Sequence, residues 1–157
     1  QFLIMFCLKL VNMYDKILYS VNGCSLMVDS EKCILCITSD SDEYNEEIFL
    51  AFMEYLTSFW TYVKDNNLKY YILLDVTGAT VSIMPIKFYK KLIEVLNGIN
   101  GILSTHLHST CILCKENSII KNIFTILFSI YTPSRPMEIV DNKEEVDIFF
   151  KSNYISE

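Results

Sequence analysis

The stretch Lys69–Pro85, KYYILLDVTGATVSIMP, decides the fold of this 157-residue chain. Its first part, Tyr70–Val76, is almost continuously apolar, which is typical of a strand that has neighbouring strands and at least one covered face. A loop with Asp75 and Thr77 follows, and Pro85 suits the first turn of a helix, because no N–H is needed there. We therefore predict a strand–loop–helix unit at the centre of the domain.

Short antiparallel strands are predicted before this unit. Cys24–Val28 and Lys32–Thr38 are rich in apolar and β-branched residues and are joined by a polar turn. Ile17–Val21 is a further β-prone run, and the Asn22-Gly23 dipeptide after it favours a tight turn. The domain is expected to open with two or three short antiparallel strands.

The first helix is predicted to start in the acidic segment Ser39–Glu47. Asp40, with Glu43 three residues later, fits a capping box, and acidic residues suit the positive end of a helix dipole. Apolar and aromatic residues then recur at three- and four-residue spacing as far as about Lys64. This stripe is expected to face the sheet.

Downstream, helix and strand patterns alternate. The predicted elements are a helix from Pro85 to Asn97, a strand His106–Cys114, a helix from about Asn117, a strand Met137–Val140 and a helix after Asp141. Such alternation favours parallel strands. We predict an α/β fold, β-β-α-β-α-β-α-β-α, in which a small, mostly parallel sheet has an antiparallel N-terminal strand pair and the helices pack on the sheet.

Residues 1–13 are interpreted as an N-terminal extension, with Met13 as a candidate start. The run QFLIMFCLKLV lacks a basic start and a small-residue cleavage site, and it is shorter than the roughly 20 apolar residues that span a bilayer. An added strand or a peripheral membrane anchor is the alternative. Residues 14–157 are predicted to form a single domain, for which a membrane is not an expected partner.

Composition and charge narrow the functional classes. A hydrophobic content of 52% against 20% charged residues supplies one core and does not fit a disordered chain. The net charge is −6 and Arg135 is the only arginine, so nucleic acid is not an expected partner. The six cysteines lie in apolar runs, where a free thiol behaves as a small hydrophobe, so we expect a reducing, cytoplasmic location.

Two C-x-x-C motifs, Cys33–Cys36 and Cys111–Cys114, are candidate halves of a zinc site. Both enclose Ile-Leu rather than the Gly or Pro of a metal-binding turn. Positions i and i+3 of a strand also point to opposite faces, so one strand does not present both thiols to one metal. We therefore expect buried thiols, with no metal and no cofactor.

Other candidate chemistry is sparse. His106 and His108 would share one face of the predicted strand, but no carboxylate or thiol clearly converges on them. Asp75 would sit at the carboxyl end of a strand, a natural catalytic position in an α/β sheet. The sequence contains no phosphate-cradling or nucleophile-elbow motif. We assign no catalytic residue.

The strand Ile72–Asp75 with Val76-Thr77-Gly78 after it resembles the signature of the STAS domain family, to which the anti-sigma-factor antagonists belong. In that family a hydrophobic strand ends in Asp, an apolar residue, Ser or Thr, and Gly. Residues Met137–Phe150 are similar to the family's short strand, acidic cap and closing helix. The resemblance covers about Cys24 to Asn153 and implies one STAS-like domain.

One segment departs from the family pattern. Regulated members carry an Asp-Ser-Ser/Thr-Gly motif at the start of the second helix, and a kinase phosphorylates its serine. The matching positions here read Ile83-Met84-Pro85-Ile86 and hold no hydroxyl group. Ser82 is a candidate shifted phosphosite, because a helix N-terminus favours phosphate; the alternative is a polar cap or loop residue.

The resemblance implies a non-enzymatic protein–protein interaction domain for signalling or scaffolding, with a protein of unknown identity as its partner. Its interaction surface would be the loop Val76–Lys87 and the exposed face of the helix after it. The residues assigned to this loop are Asp75, Thr77, Gly78, Thr80, Ser82, Met84 and Lys87.

Two alternatives remain open. A related use of the fold implies a small apolar or lipid ligand between the first helix and the sheet, around Phe52, Phe59 and Trp60. The other alternative is an enzyme centred on Asp75 and the two histidines. A flat surface near Asp75 would favour the interaction domain, a deep apolar pocket a ligand, and convergent His, Asp and Cys side chains an enzyme.

Because Met84 stands where a regulatory serine is usual, we expect serine phosphorylation of the usual kind to be absent. A phosphopeptide map of the protein isolated from its native cells should show Ser82 unmodified. Stoichiometric modification of Ser82 would contradict this expectation.

Overall fold

The computed structural model describes residues 17–21, 24–39, 45–79, 86–116 and 119–155. These ranges contain six strands and five helices. In chain order they are β1 (Ile17–Val21), β2 (Cys24–Asp29), β3 (Ile34–Ser39), α1 (Glu46–Asp65), β4 (Tyr70–Asp75), α2 (Ile86–Gly98), α3 (Asn100–His106), β5 (Leu107–Leu113), α4 (Ile119–Ile130), β6 (Met137–Val140) and α5 (Lys143–Ser152). The predicted extension, residues 1–13, lies outside the described residues.

The six strands form one sheet whose order follows the chain, from β1 to β6. β1, β2 and β3 pair antiparallel, and β3, β4, β5 and β6 pair parallel. The predicted α/β class, with antiparallel strands first and parallel strands after them, is confirmed. The predicted order lacked two elements, because β1 extends the strand pair and α3 precedes β5.

Helix α1 begins at Glu46, later than the predicted capping box at Asp40, which lies outside the described residues. The side-chain oxygen of Asn45 accepts hydrogen bonds from the N–H groups of Glu47 and Ile48, at 2.9 and 3.2 Å. Asn45 is therefore the N-cap, because it satisfies two N–H groups that have no partner within the helix.

The same helix ends in a Schellman motif, which sets the direction of the chain into β4. Asn67 has a φ of 50°, in the left-handed region that Asn tolerates better than most residues. Its N–H donates to the carbonyl of Lys64 at 3.1 Å, and the N–H of Leu68 donates to the carbonyl of Val63 at 2.9 Å. β4 therefore starts only three residues after this turn begins.

Helix α3 corrects the prediction for the segment before β5, in which the strand started at His106. The helix has seven residues and contains Gly101, so it is too short to show a helical period in the sequence. Leu103 is buried in the core that α1 also contributes to. Tertiary packing thus stabilises a helix that intrinsic propensity does not predict.

One face of the sheet packs against helices α1 to α4. Side chains alternate along a strand, and Ile72 and Leu74 of β4 point towards the core that α1 fills. Trp60 and Phe59 of α1 are 0% and 2% exposed. The ring of Phe59 contacts Tyr70 edge-on, with 5.2 Å between centroids. The aromatic stripe of α1 therefore forms the centre of the main core.

The other face of the sheet carries a smaller core that α5 covers. Tyr71 and Leu73 alternate with the residues above and pack in this second cluster. Val146 and Phe150 of α5 are buried there, and the rings of Phe150 and Tyr71 lie 4.6 Å apart. β4 is consequently covered on both faces. Among the described helices, none is long and apolar enough to cross a membrane.

Replacing Phe150 with alanine should remove most of the cover of this second face. Phe150 is 6% exposed, so we expect the free energy of unfolding to fall by about 3–5 kcal/mol in a urea titration. Ile148→Ala on the same helix is the matched control, because Ile148 is 66% exposed and its loss should change stability by less than about 0.5 kcal/mol. Equal losses for the two variants would mean that α5 does not bury the face described here.

Candidate functional site

An apolar cavity of about 300 Å³ lies between the sheet and its helical layer. The strands contribute aliphatic side chains from one face of the sheet, the face to which Ile72 and Leu74 of β4 point. Helices on both sides supply the rest of the wall, which includes Phe49, Phe52, Met53, Leu56, Trp60, Leu92, Leu96, Ile123, Phe124, Leu127 and Phe128. The cavity therefore separates α4 from α1 and α2 over part of their length.

The aromatic residues singled out in the sequence divide into two groups at this cavity. Phe52 and Trp60 line it, at a spacing of eight residues that places them on the same side of α1. Phe59 does not line it and instead packs on Tyr70 and Trp60. Two of the three aromatic residues named for the apolar-ligand alternative therefore line the cavity.

Polar side chains occur at opposite ends of the cavity. Ser39 ends β3, and Asn45 caps α1. Ser134 and Arg135 precede β6, which runs parallel to β3. They therefore lie near the amino ends of the parallel strands, whereas Ser39 lies at the carboxyl end. Sequence reasoning missed these residues, because they are isolated polar positions between hydrophobic elements.

The loop after β4 forms one wall of the cavity. The carboxylate of Asp75 accepts hydrogen bonds from the N–H and the hydroxyl of Thr77, at 3.0 and 2.6 Å, which closes a tight turn. Val76 and Ala79 line the cavity, and Gly78 is exposed. The carboxylate of Asp75 thus shapes the backbone of this loop.

The remaining residues of the predicted interaction loop lie in two places. Thr80, Ser82 and Met84 are outside the described residues. Lys87 lies in the first turn of α2 and is exposed, and its ammonium group lies 2.7 Å from the carboxylate of Glu46. Both side chains are well exposed, so this ion pair contributes little to stability, but it joins the first turns of α1 and α2.

The two histidines do not converge. His106 ends α3 instead of lying on the strand, and its Nδ1 donates to the carbonyl of Leu68 at 2.7 Å. His108 lies within β5, where its Nδ1 accepts the N–H of Ile155 at 2.9 Å. The prediction that both imidazoles share a strand face is therefore wrong, because the strand starts one residue after His106.

His108 connects Tyr154 and Ile155, which follow α5, to the sheet. Its ring stacks between those of Tyr71 and Tyr154, with centroids 4.5 and 4.8 Å away. Burial lowers the pKa of His108, and the positive charges of Lys69 and Arg135 lower it further. The imidazole is thus held in its neutral form, with its proton on Nε2 because Nδ1 is an acceptor.

The described cysteines lie in separate surroundings. Cys33 occupies the turn before β3, and Cys36 and Cys111 flank Leu73 on β3 and β5. Burial raises the pKa of Cys111 to about 12, with smaller contributions from Glu138 and Glu145. Among the residues that the structure describes, no three His, Cys, Asp or Glu side chains are grouped to hold a metal ion.

Comparisons of the chain with protein-family models, with curated proteins and with solved structures found no match. The geometry of the cavity is therefore the main observation from which a function can be inferred.

The neutral state of His108 predicts a pH-dependent stability. Its pKa in the folded protein is lower than in the unfolded chain, so the unfolded chain takes up a proton first as the pH falls. The free energy of unfolding should therefore decrease as the pH falls below about 6.5, the ordinary value for histidine, and continue to decrease down to the folded pKa.

Urea titrations at several pH values should show this decrease for the natural sequence and for His106→Gln, since both retain His108. The decrease in the free energy of unfolding should be smaller in His108→Gln, because the amide oxygen of glutamine still accepts a hydrogen bond but does not titrate. An unchanged pH dependence in His108→Gln would contradict the assignment.

Proposed function

We propose that this protein binds a small apolar ligand in the cavity between the sheet and its helical layer. The observation that supports the proposal is the cavity itself, at about 300 Å³ and with a wall of mainly aliphatic and aromatic side chains. Pockets for drug-sized ligands have volumes of about 300–1,000 Å³ and combine apolar walls with a few polar groups. The polar residues at the two ends of this cavity fit that description.

A binding role without catalysis is part of the proposal. Asp75 is engaged in its own turn, His108 holds a backbone N–H, and burial keeps the Cys111 thiol protonated. These groups lie in different surroundings, and a catalytic site needs an acid, base or nucleophile within hydrogen-bond reach of a shared substrate.

The STAS-like assignment is proposed as well, and its support is the Asp75 turn and the closing helix α5 after β6. A protein-interaction domain of that fold is the competing function. The two functions make opposite predictions for a substitution that fills the cavity and leaves the surface intact, because only ligand binding needs the space.

Ile123→Trp should block the cavity. Ile123 lines the cavity from α4, and an indole ring there occupies space that a ligand needs. The fluorescent dye Nile red is neutral and apolar, and we expect it to bind the natural sequence and to lose at least about tenfold in affinity to Ile123→Trp. Ile126→Trp is the matched control, because Ile126 is on the same helix but 64% exposed.

Circular dichroism and a cooperative urea transition would show that both variants are folded. Native mass spectrometry of the protein from its native cells should also reveal a bound small molecule. Failure of Nile red to bind the natural sequence, together with recovery of a stable protein partner and no small molecule, would favour the interaction domain instead.

A further inference from the structure

Arg135 is the only arginine of the chain, and it lies in the wall of a mainly apolar cavity. Its side chain is half-buried. Within the described ranges, no carboxylate lies within 4.0 Å of its guanidinium group, whereas Lys32, Lys87 and Lys91 each have one. A guanidinium group that is partly removed from water without a counter-charge is costly. Arg135 can therefore take an anionic ligand without giving up a carboxylate partner within the described residues.

The segment around Arg135 is held rigidly. Pro133 and Pro136 flank it and fix two backbone φ angles. The N–H of Thr110 donates to the carbonyl of Pro136 at 3.0 Å, and Nε of Arg135 donates to the carbonyl of His108 at 3.3 Å. The bond through Nε leaves the two terminal nitrogens of the guanidinium group to bind a ligand. The guanidinium group is thus preorganised, and little side-chain entropy remains to be lost on binding.

Two further buried polar atoms in the cavity wall have no hydrogen-bond partner. They are the hydroxyl of Ser134, the neighbour of Arg135, and Nε1 of Trp60, whose side chain is fully buried. A buried polar atom without a partner costs about 1–3 kcal/mol. Both groups are hydrogen-bond donors, so a ligand with acceptor oxygens suits them better than a pure hydrocarbon.

A second cation lies near Arg135. Lys69 and Arg135 both act on His108, although Lys69 is not part of the cavity wall. The positive charge at the wall itself is therefore that of Arg135, which favours an anion over a neutral polar head.

We propose that the cavity holds a single-chain carboxylic acid, with its alkyl chain among the apolar side chains and its carboxylate on the guanidinium group of Arg135. This inference rests on the proposed apolar-ligand function. Two terminal nitrogens of one arginine match the two oxygens of a carboxylate. The volume of about 300 Å³ lies at the lower end of ligand pockets, so one chain fits better than the two chains of a membrane lipid.

Displacement of Nile red from the full-length protein tests the proposal. Dodecanoate and dodecan-1-ol share one alkyl chain and differ in the head group. We expect dodecanoate to displace the dye at least about tenfold better, in line with the strength of a charge-assisted hydrogen bond. Arg135→Gln should abolish this preference, measured relative to the Nile red affinity of the same variant, and Arg135→Lys should retain part of it. Ser134→Ala should weaken dodecanoate a few-fold.

Lys90→Gln is the matched control, because it removes one exposed positive charge from α2, away from the cavity wall. It should keep the full preference for dodecanoate. Equal displacement by the acid and the alcohol, or an unchanged preference in Arg135→Gln, would overturn the carboxylate assignment while Nile red binding still supports the cavity. Absence of Nile red binding to the natural sequence would instead contradict the apolar-ligand function itself.

Discussion

The requirement that β4 be covered on both faces governs this structure. Ile72 and Leu74 point to one face and Tyr71 and Leu73 to the other, so an apolar strand of six residues needs a helical layer on each side. Helices α1 to α4 meet the first need, and α5 meets the second. The turn at Asp75 follows from the same constraint, because the chain must leave the buried strand at once and return along the helical layer.

The two helical layers are unequal, and the cavity lies under the larger one. α5 packs closely on its face through Val146 and Phe150, which insert into the cluster formed by β5 and β6. On the opposite face, α4 carries apolar residues towards the sheet and also outwards, where Ile126 and Ile130 are more than half exposed. The cavity lies on this side of the sheet, where residues of α1, α2 and α4 line it.

Much of the fold could be predicted from the sequence, because the strands are short apolar runs bounded by turn residues. Met137–Val140 was predicted with the bounds that the structure has, and the central strand differs by one residue. The helix Asn100–His106 was missed, since it depends on tertiary packing that leaves no local pattern. The N-cap Asn45 was missed although its bonds are local, because the acidic segment before it offers other capping residues. The site was harder to predict: an apolar stripe indicates burial, but it does not distinguish a filled core from a hollow one. Arg135 has no neighbouring motif, and only the fold brings it to the cavity wall.

The agreement between strand order and chain order has a consequence for folding. Each strand pairs with the strand before it, so the sheet grows by one unit at a time and each step closes a loop of modest length. The second face of β4 is the exception. Tyr71 and Leu73 are synthesised well before α5, which covers them. α5 packs on this face only after β5 and β6 have joined the sheet. During synthesis this apolar face therefore remains open until the last helix emerges, and chains that end before Lys143 expose a surface prone to aggregation.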